Sequence, residues 1–314
     1  MRYLVIGAGG TGGAIGGFLA RAGKDVTLIA RGKHLEQMRQ NGLCFETTKE
    51  SFAVPVHACT MEEYCDLYGD QTPDVIFVCV KGYSLEDTVP FINQAAAAHT
   101  IVIPILNIYG TGRKLQTLLP HLTVTDGCIY IASQIKAPGI ILMSGSIFRV
   151  VFGLRKGTAD SIRAAAQPLL EQTYCDLEAS GITPLLSNQI EKDALQKFSF
   201  VSPMAALGAG YCITAKDMQT GGTYADTYIR LVQEIKALSD AMDVSLPEDI
   251  VDININIMNG LAAGATASMQ RDIRDGKPSE VDGLVYEVVR MGEAYDVPVP
   301  TYAMIADRLR TILG

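Results

Sequence analysis

The stretch Tyr3-Leu4-Val5-Ile6-Gly7-Ala8-Gly9-Gly10-Thr11-Gly12 decides the fold. Four apolar residues with strand propensity run straight into Gly-x-Gly-x-x-Gly, and helix-like spacing continues over residues 11–22. In this setting each glycine has a task. Gly7 permits the tight turn, Gly9 lets the backbone approach a pyrophosphate, and Gly12 lets the helix pack close to the strand. The helix start, with Gly10 in it, offers free N–H groups and a partial positive charge to phosphates. The plain structural alternative is a glycine-rich packing helix without a ligand. The second strand that follows at 26–30 favours dinucleotide binding.

The rest of the first half repeats the alternation. Residues 75–80 and 101–106 read as strands, with Pro104 limiting the last. Residues 34–41 and 84–98 read as helices, the latter short or kinked at Pro90. The strand runs are continuously apolar, as expected of parallel strands buried on both faces. The expected fold is therefore α/β, with an N-terminal Rossmann-type doubly wound sheet. Residues 128–154 are β-rich, punctuated by Pro138-Gly139 and Ser144-Gly145, and a helix is expected over 159–172. Residues 188–314 read as almost entirely helical, including 224–241 and 281–294. This divides the chain into a cofactor domain, 1–187, and an all-helical C-terminal domain, 188–314.

Composition narrows the function classes. The 314 residues are 48% hydrophobic and 19% charged, enough apolar material for large cores. A net charge of −8 argues against a nucleic-acid surface. No apolar run reaches the length of a membrane span. Seven cysteines without CxxC spacing read as reduced thiols in the cytoplasm, with neither a zinc site nor any other metal site. The four histidines, His34, His57, His99 and His121, are scattered and receive no role.

The end of the second strand selects the cofactor. An NAD site places a carboxylate about 20 residues on, against the ribose hydroxyls. Here the chain reads Ala30-Arg31-Gly32-Lys33, with two cations and no acid. Arg31 suits a 2′-phosphate, so NADPH is the expected cofactor.

Further motifs extend the pattern. These are Val78-Cys79-Val80-Lys81, Leu106-Asn107-Ile108-Tyr109-Gly110 and Leu195-Gln196-Lys197-Phe198. Ser268-Met269-Gln270-Arg271-Asp272-Ile273, followed by Ser279-Glu280-Val281-Asp282, is the most specific of them. With the Gly7–Gly12 loop, they make nearly the whole chain resemble the ketopantoate reductase (2-dehydropantoate 2-reductase) family. The resemblance implies NADPH-dependent reduction of ketopantoate to pantoate, on the route to pantothenate and coenzyme A. It implies Lys197 as the proton donor and Glu280 at the cofactor–substrate site. It also implies Ser268 on the substrate carboxylate, with Asn107 and Lys81 lining the junction of cofactor and substrate, in a cleft between domains.

Each residue also has a bland reading. Lys197 could be a solvated helix lysine, and Glu280 a first-turn acid with Ser279 and Asp282 as a capping pair. Ser268 could cap a helix, Asn107 serve its turn, and Lys81 end a strand. Together, at family spacing, they favour function for Lys197 and Glu280. One face departs from the family. Four and eight residues beyond Lys197, where better-known members carry asparagines, stand Val201 and Ala205. Ser199 and Ser202 lie off that line. A reductase of another 2-oxo acid, or an NADP(H)-binding regulator without turnover, are the alternatives. The apolar helical domain could bury a homodimer face or only its own core.

Overall fold

The computed structural model describes residues 1–69 and 71–314. The chain forms two compact units. One comprises residues 1–106 and 110–191, the other residues 107–109 and 192–314.

The strands, all in the first unit, are β1 Arg2–Ile6, β2 Asp25–Ile29, β3 Leu43–Glu46, β4 Ser51–Val54, β5 His57–Cys59, β6 Val75–Val78, β7 Ile101–Pro104, β8 Thr123–Val124, β9 Asp126–Ala137, β10 Ile140–Gly153 and β11 Thr183–Leu186. Its helices are α1 Gly10–Arg21, α2 Gly32–Asn41, α3 Met61–Tyr68, α4 Val89–Ala95, α5 Thr111–Leu118 and α6 Asp160–Ala179.

Six strands form a wholly parallel sheet in the order β5-β2-β1-β6-β7-β8. Counted within that sheet the order is 3-2-1-4-5-6, the doubly wound arrangement whose direction reverses between β1 and β6. The continuous apolar runs have the expected cause. Tyr3, Val5, Val75, Phe77, Ile101 and Ile103 enter one core, while Leu4, Ile6, Ile76, Val78 and Val102 enter another. Both faces of the central strands β1, β6 and β7 are covered, so neither face of these can be polar.

The remaining strands build a mixed sheet, β11-β10-β3-β4, with β9 antiparallel to β10. Two sequence expectations change here. Pro138-Gly139 does turn the β9–β10 hairpin, with Gly139 at φ 76°. Ser144-Gly145 does not turn the chain; it lies in a register irregularity within β10, between Met143 and Phe148. Residues 84–98 are not one helix. Two 3₁₀ turns, Gly82–Ser84 and Glu86–Thr88, precede α4, and Pro90 sits in its first turn, where a missing N–H costs nothing.

The second unit is helical. It holds most of α7 Ile190–Tyr211, then α8 Ala215–Gln219, α9 Thr223–Ala241, α10 Ile250–Asn259, α11 Ser268–Arg274, α12 Glu287–Ala294 and α13 Pro300–Leu313. A π-helical turn, Asp282–Tyr286, leads into α12. One apolar core joins these helices, with Leu195, Phe198, Leu231, Leu284, Val285, Tyr302 and Ile305 at its centre. Among the described residues, no helix is long and apolar enough to cross a membrane.

Candidate active site

In the first unit, the glycine loop lies at the carboxyl end of β1, beside the point where the sheet order reverses. Gly7 has φ 95°, open to glycine and strained for other residues. Its N–H and that of Ala8 both donate to the Ile29 carbonyl, at 3.2 and 3.0 Å, which ties the loop to the end of β2. A Cβ on Gly12 would collide with the Gly7 carbonyl oxygen and stand 2.8 Å from Cys79 Cβ. Nothing lies within 4 Å of a Cβ built on Gly9, and no side chain caps α1 there. The first-turn amides of α1 thus have open approach for a phosphate, which fits a dinucleotide. Gly10 has a packing reason as well: its Cβ would stand 2.8 Å from the Ser133 carbonyl oxygen in β9.

Arg31 is exposed and is the N-cap residue of α2, directly beyond β2. Residues 30–33, just beyond that strand, hold Arg31 and Lys33 and no carboxylate. Lys81 lies three residues beyond β6, half-buried, at the start of the 3₁₀ turn.

His34 is a connector for which the sequence suggests no role. Gly139 N–H donates to its Nδ1 at 2.9 Å, so its Nε2 carries the hydrogen and donates to the Ala8 carbonyl at 2.9 Å. One neutral imidazole therefore ties the glycine loop, the start of α2 and the β9–β10 turn together. Burial holds its pKa below the ordinary value, partly offset by the bond to Ala8. No sequence signal marked this role, since the partners Ala8 and Gly139 are 26 and 105 positions away.

In the second unit, Lys197 on α7 donates from Nζ to Asn107 Oδ1 at 2.6 Å. Lys197 is only 9% exposed, so it is not a solvated helix lysine. Ile108, next to Asn107, packs against Gly283 so closely that a Cβ there would overlap its side chain. Tyr109 meets Phe198, ring centroids 6.1 Å apart. The segment 107–109 is thus set on α7 on one side and on the π-turn on the other.

Glu280 is 5% exposed and lies two residues before that turn. Such burial is foreign to a surface first-turn acid. The suggested Ser279–Asp282 cap is replaced by another pairing. Asp282 faces Arg290 through two bonds of 2.9 and 3.0 Å, a fork that holds a carboxylate better than one serine can. Ser268 is the half-buried first residue of α11, anchored by Met269 in the core and by Gln270 Nε2 on the Ile213 carbonyl at 2.8 Å.

The departure from the family face persists in three dimensions. Val201 packs against the helical core and Ala205 is wholly buried in it. Neither nearby serine substitutes. Ser199 Oγ donates to the Gln196 carbonyl and receives Asn254 Nδ2. Ser202 Oγ is engaged with the Leu284 carbonyl and Tyr302.

Comparison with known proteins gives a consistent picture. The family described as ketopantoate reductase PanE/ApbA matches residues 3–157, and its C-terminal counterpart matches residues 189–312. A 2-dehydropantoate 2-reductase of Pyrococcus horikoshii is 30% identical, over 96% of this chain and 93% of that one. The crystal structure of a PanE/ApbA family ketopantoate reductase from Ralstonia eutropha JMP134 is 25% identical. It covers 100% of this chain and 98% of its own, at TM-score 0.84. D-mandelate dehydrogenase, solved with NADH and anilino(oxo)acetate, shares the fold at TM-score 0.86. It is 20% identical, over 100% of this chain and 98% of that one.

Proposed function

The chain belongs to the ketopantoate reductase family and is an oxidoreductase, and from that premise we propose that it reduces ketopantoate to pantoate with NADPH, with Lys197 as proton donor. The observation that carries this reading is the 2.6 Å bond from Lys197 to Asn107 on a lysine only 9% exposed, because lysine is seldom buried to that extent without a task.

The nicotinamide, when bound, supplies a hydride. The residues of the chain do the rest. Addition of hydride to C2 of a 2-oxo acid moves the carbonyl electron pair onto oxygen. The Lys197 ammonium stabilises that charge and gives the oxygen its proton, so the product is the 2-hydroxy acid. Asn107 accepts one of the three ammonium N–H bonds and thereby sets the direction of the others. Glu280 belongs at the cofactor–substrate site, Ser268 on the substrate carboxylate, and Lys81 beside the cofactor. The glycine loop and α1 hold the pyrophosphate, and Arg31 the 2′-phosphate. Seven cysteines, none in a disulfide, support a cytoplasmic setting.

A second reading has one specific observation behind it. With Val201 and Ala205 at the family's asparagine positions, a 2-oxo acid with a more apolar tail is a competing substrate. The shared fold of D-mandelate dehydrogenase is compatible with that. The test follows NADPH oxidation by absorbance over a panel of 2-oxo acids, with Lys197→Ala as control. Ketopantoate turnover abolished by the control supports the first reading. Preferred turnover of another acid supports the second. No turnover on any acid overturns both.

A further inference from the structure

Lys197 and Glu280 lie on separate elements, and something must hold those elements in register. One hydrogen-bonded link between them runs through Ser202. Ser202 lies five residues beyond Lys197 on α7 and is fully buried. Its Oγ is 2.6 Å from the Leu284 carbonyl oxygen and 2.6 Å from Tyr302 Oη, which is also fully buried. A carbonyl can only accept, and a serine has one hydrogen to give. The order is therefore fixed: Tyr302 donates to Ser202, and Ser202 donates to Leu284. Burial pushes the Tyr302 phenol well above its ordinary pKa, so it keeps its hydrogen at any working pH.

Leu284 is bonded both ways. Its carbonyl takes the Ser202 hydrogen, and its own N–H donates to the Glu280 carbonyl at 3.0 Å. It sits in the π-turn, a widened helical geometry that is rare without a stabilising partner or a functional reason. At the other end, Tyr302 stands in the first turn of α13. Glu234 of α9 caps that turn, accepting from the N–H groups of Thr301 and Tyr302 at 2.7 and 3.0 Å. A hydrogen-bonded line thus runs from Glu234 through α13, Tyr302, Ser202 and Leu284 to Glu280.

We propose that the Tyr302–Ser202 hydroxyl pair is a positioning device, which locks the π-turn that follows Glu280 to the helix carrying Lys197. It rests on the reading that Lys197 and Glu280 serve one reaction. Neither hydroxyl contacts the reacting atoms; both act through Leu284.

The test uses the full chain and the variants Ser202→Ala, Ser202→Thr and Tyr302→Phe. The control is Ser239→Ala, which removes a fully buried hydroxyl of α9 that donates to the Lys236 carbonyl one turn back. Amide hydrogen exchange of residues 280–287 and steady-state kinetics are read together. Ser202→Ala should speed exchange in that segment and lower kcat roughly 10- to 100-fold, the scale of small misplacements. KM should stay within about twofold. Ser202→Thr should restore both, because it keeps the hydroxyl. Tyr302→Phe should fall between, since Ser202 still reaches Leu284. The control should change neither.

Unchanged exchange over 280–287 in Ser202→Ala overturns the proposal. So does a lower melting temperature with unchanged kcat, which is a structural role alone. If the unsubstituted chain turns over no 2-oxo acid, the functional reading fails, and the exchange result still decides the device. If Ser202→Ala does not fold, Tyr302→Phe carries the same comparison.

Discussion

Lys197 Nζ and Asn107 Oδ1 lie 2.6 Å apart although ninety positions separate them in the chain. Asn107 follows Leu106 beyond the end of β7, yet it belongs with the helical unit. Covalent continuity therefore joins a strand end of the cofactor-binding sheet to the partner of the proposed proton donor. Replacing Lys197 by Ala should cost about 10²–10⁴-fold in kcat, the usual contribution of a positioned acid. Asn107→Ala leaves the ammonium but removes its direction, and should cost less, roughly 5- to 150-fold. NADPH oxidation at saturating 2-oxo acid measures both. Equal losses in the two variants would mean that Asn107 does more than orient the lysine.

Arg31→Ala should raise the KM for NADPH by roughly 10- to 150-fold, the range of a charge-assisted bond to phosphate. The KM for NADH should hardly move, because NADH has no 2′-phosphate. An equal change for both cofactors would remove Arg31 from the site.

Gly12→Ala puts a methyl group against the Gly7 carbonyl and Cys79 Cβ. Neither can yield without moving α1 away from β1. The expected loss is about 1–3 kcal/mol of stability, read as a lower melting temperature, together with weaker dinucleotide binding by titration. Gly9→Ala meets nothing within 4 Å. It should fold normally and lose dinucleotide affinity alone. The contrast separates the packing glycine from the ligand glycine.

The parallel sheet was legible because its cause is local. Strands buried on both faces must be apolar at every position, and residues 75–78 are Val-Ile-Phe-Val. The glycine loop was legible because its backbone geometry restricts residue type. Short elements were not. The strands over 43–59 bury one side only, and α3 and α5 are too short to show a helical period. At the site, Lys197, Glu280 and Asn107 could be named singly, whereas their connectors could not. Ser202, Tyr302 and His34 act through backbone groups that close only on folding, and no spacing announces such bonds. From the sequence, Ser202 merely lay off the line of Lys197 and Val201; folding commits its hydroxyl to Leu284.

His34 gives the cofactor loop a pH dependence whose sign can be worked out. Its Nδ1 accepts from Gly139, so protonation there sets N–H against N–H. Burial lowers the folded pKa below the ordinary 6.5. The unfolded chain therefore takes the proton first as pH falls. The stabilisation is complete above about 6.5 and is lost as pH drops through the lowered folded value. Melting temperature and dinucleotide affinity should both decline on that acid limb. His34→Ala should lower stability at pH 8 by about 1 kcal/mol and flatten the limb. A limb unchanged in the variant would assign it to another group.

Val201→Asn bears on the substrate. Val201 is one helical turn beyond Lys197, partly buried against the helical core, and its side chain ends in methyl groups. If the natural tail is apolar, Val201 supports it by packing. An amide in its place gains a bond only with a substrate hydroxyl. Ala205 is unsuitable for the same test, because it has no exposure and a larger side chain would strain the core. For a hydroxylated 2-oxo acid such as ketopantoate, Val201→Asn should raise kcat/KM, by up to about 5- to 150-fold if the new bond is well made. For an apolar 2-oxo acid of similar size it should lower kcat/KM, since the amide is then buried without a partner. The decisive quantity is the ratio of the two, measured in both proteins. A ratio that rises in the variant identifies this face as the selector and favours an apolar tail for the natural substrate. A ratio that stays constant, with ketopantoate already well used, means that recognition of the hydroxyl comes from elsewhere, and the departure at Val201 is then neutral.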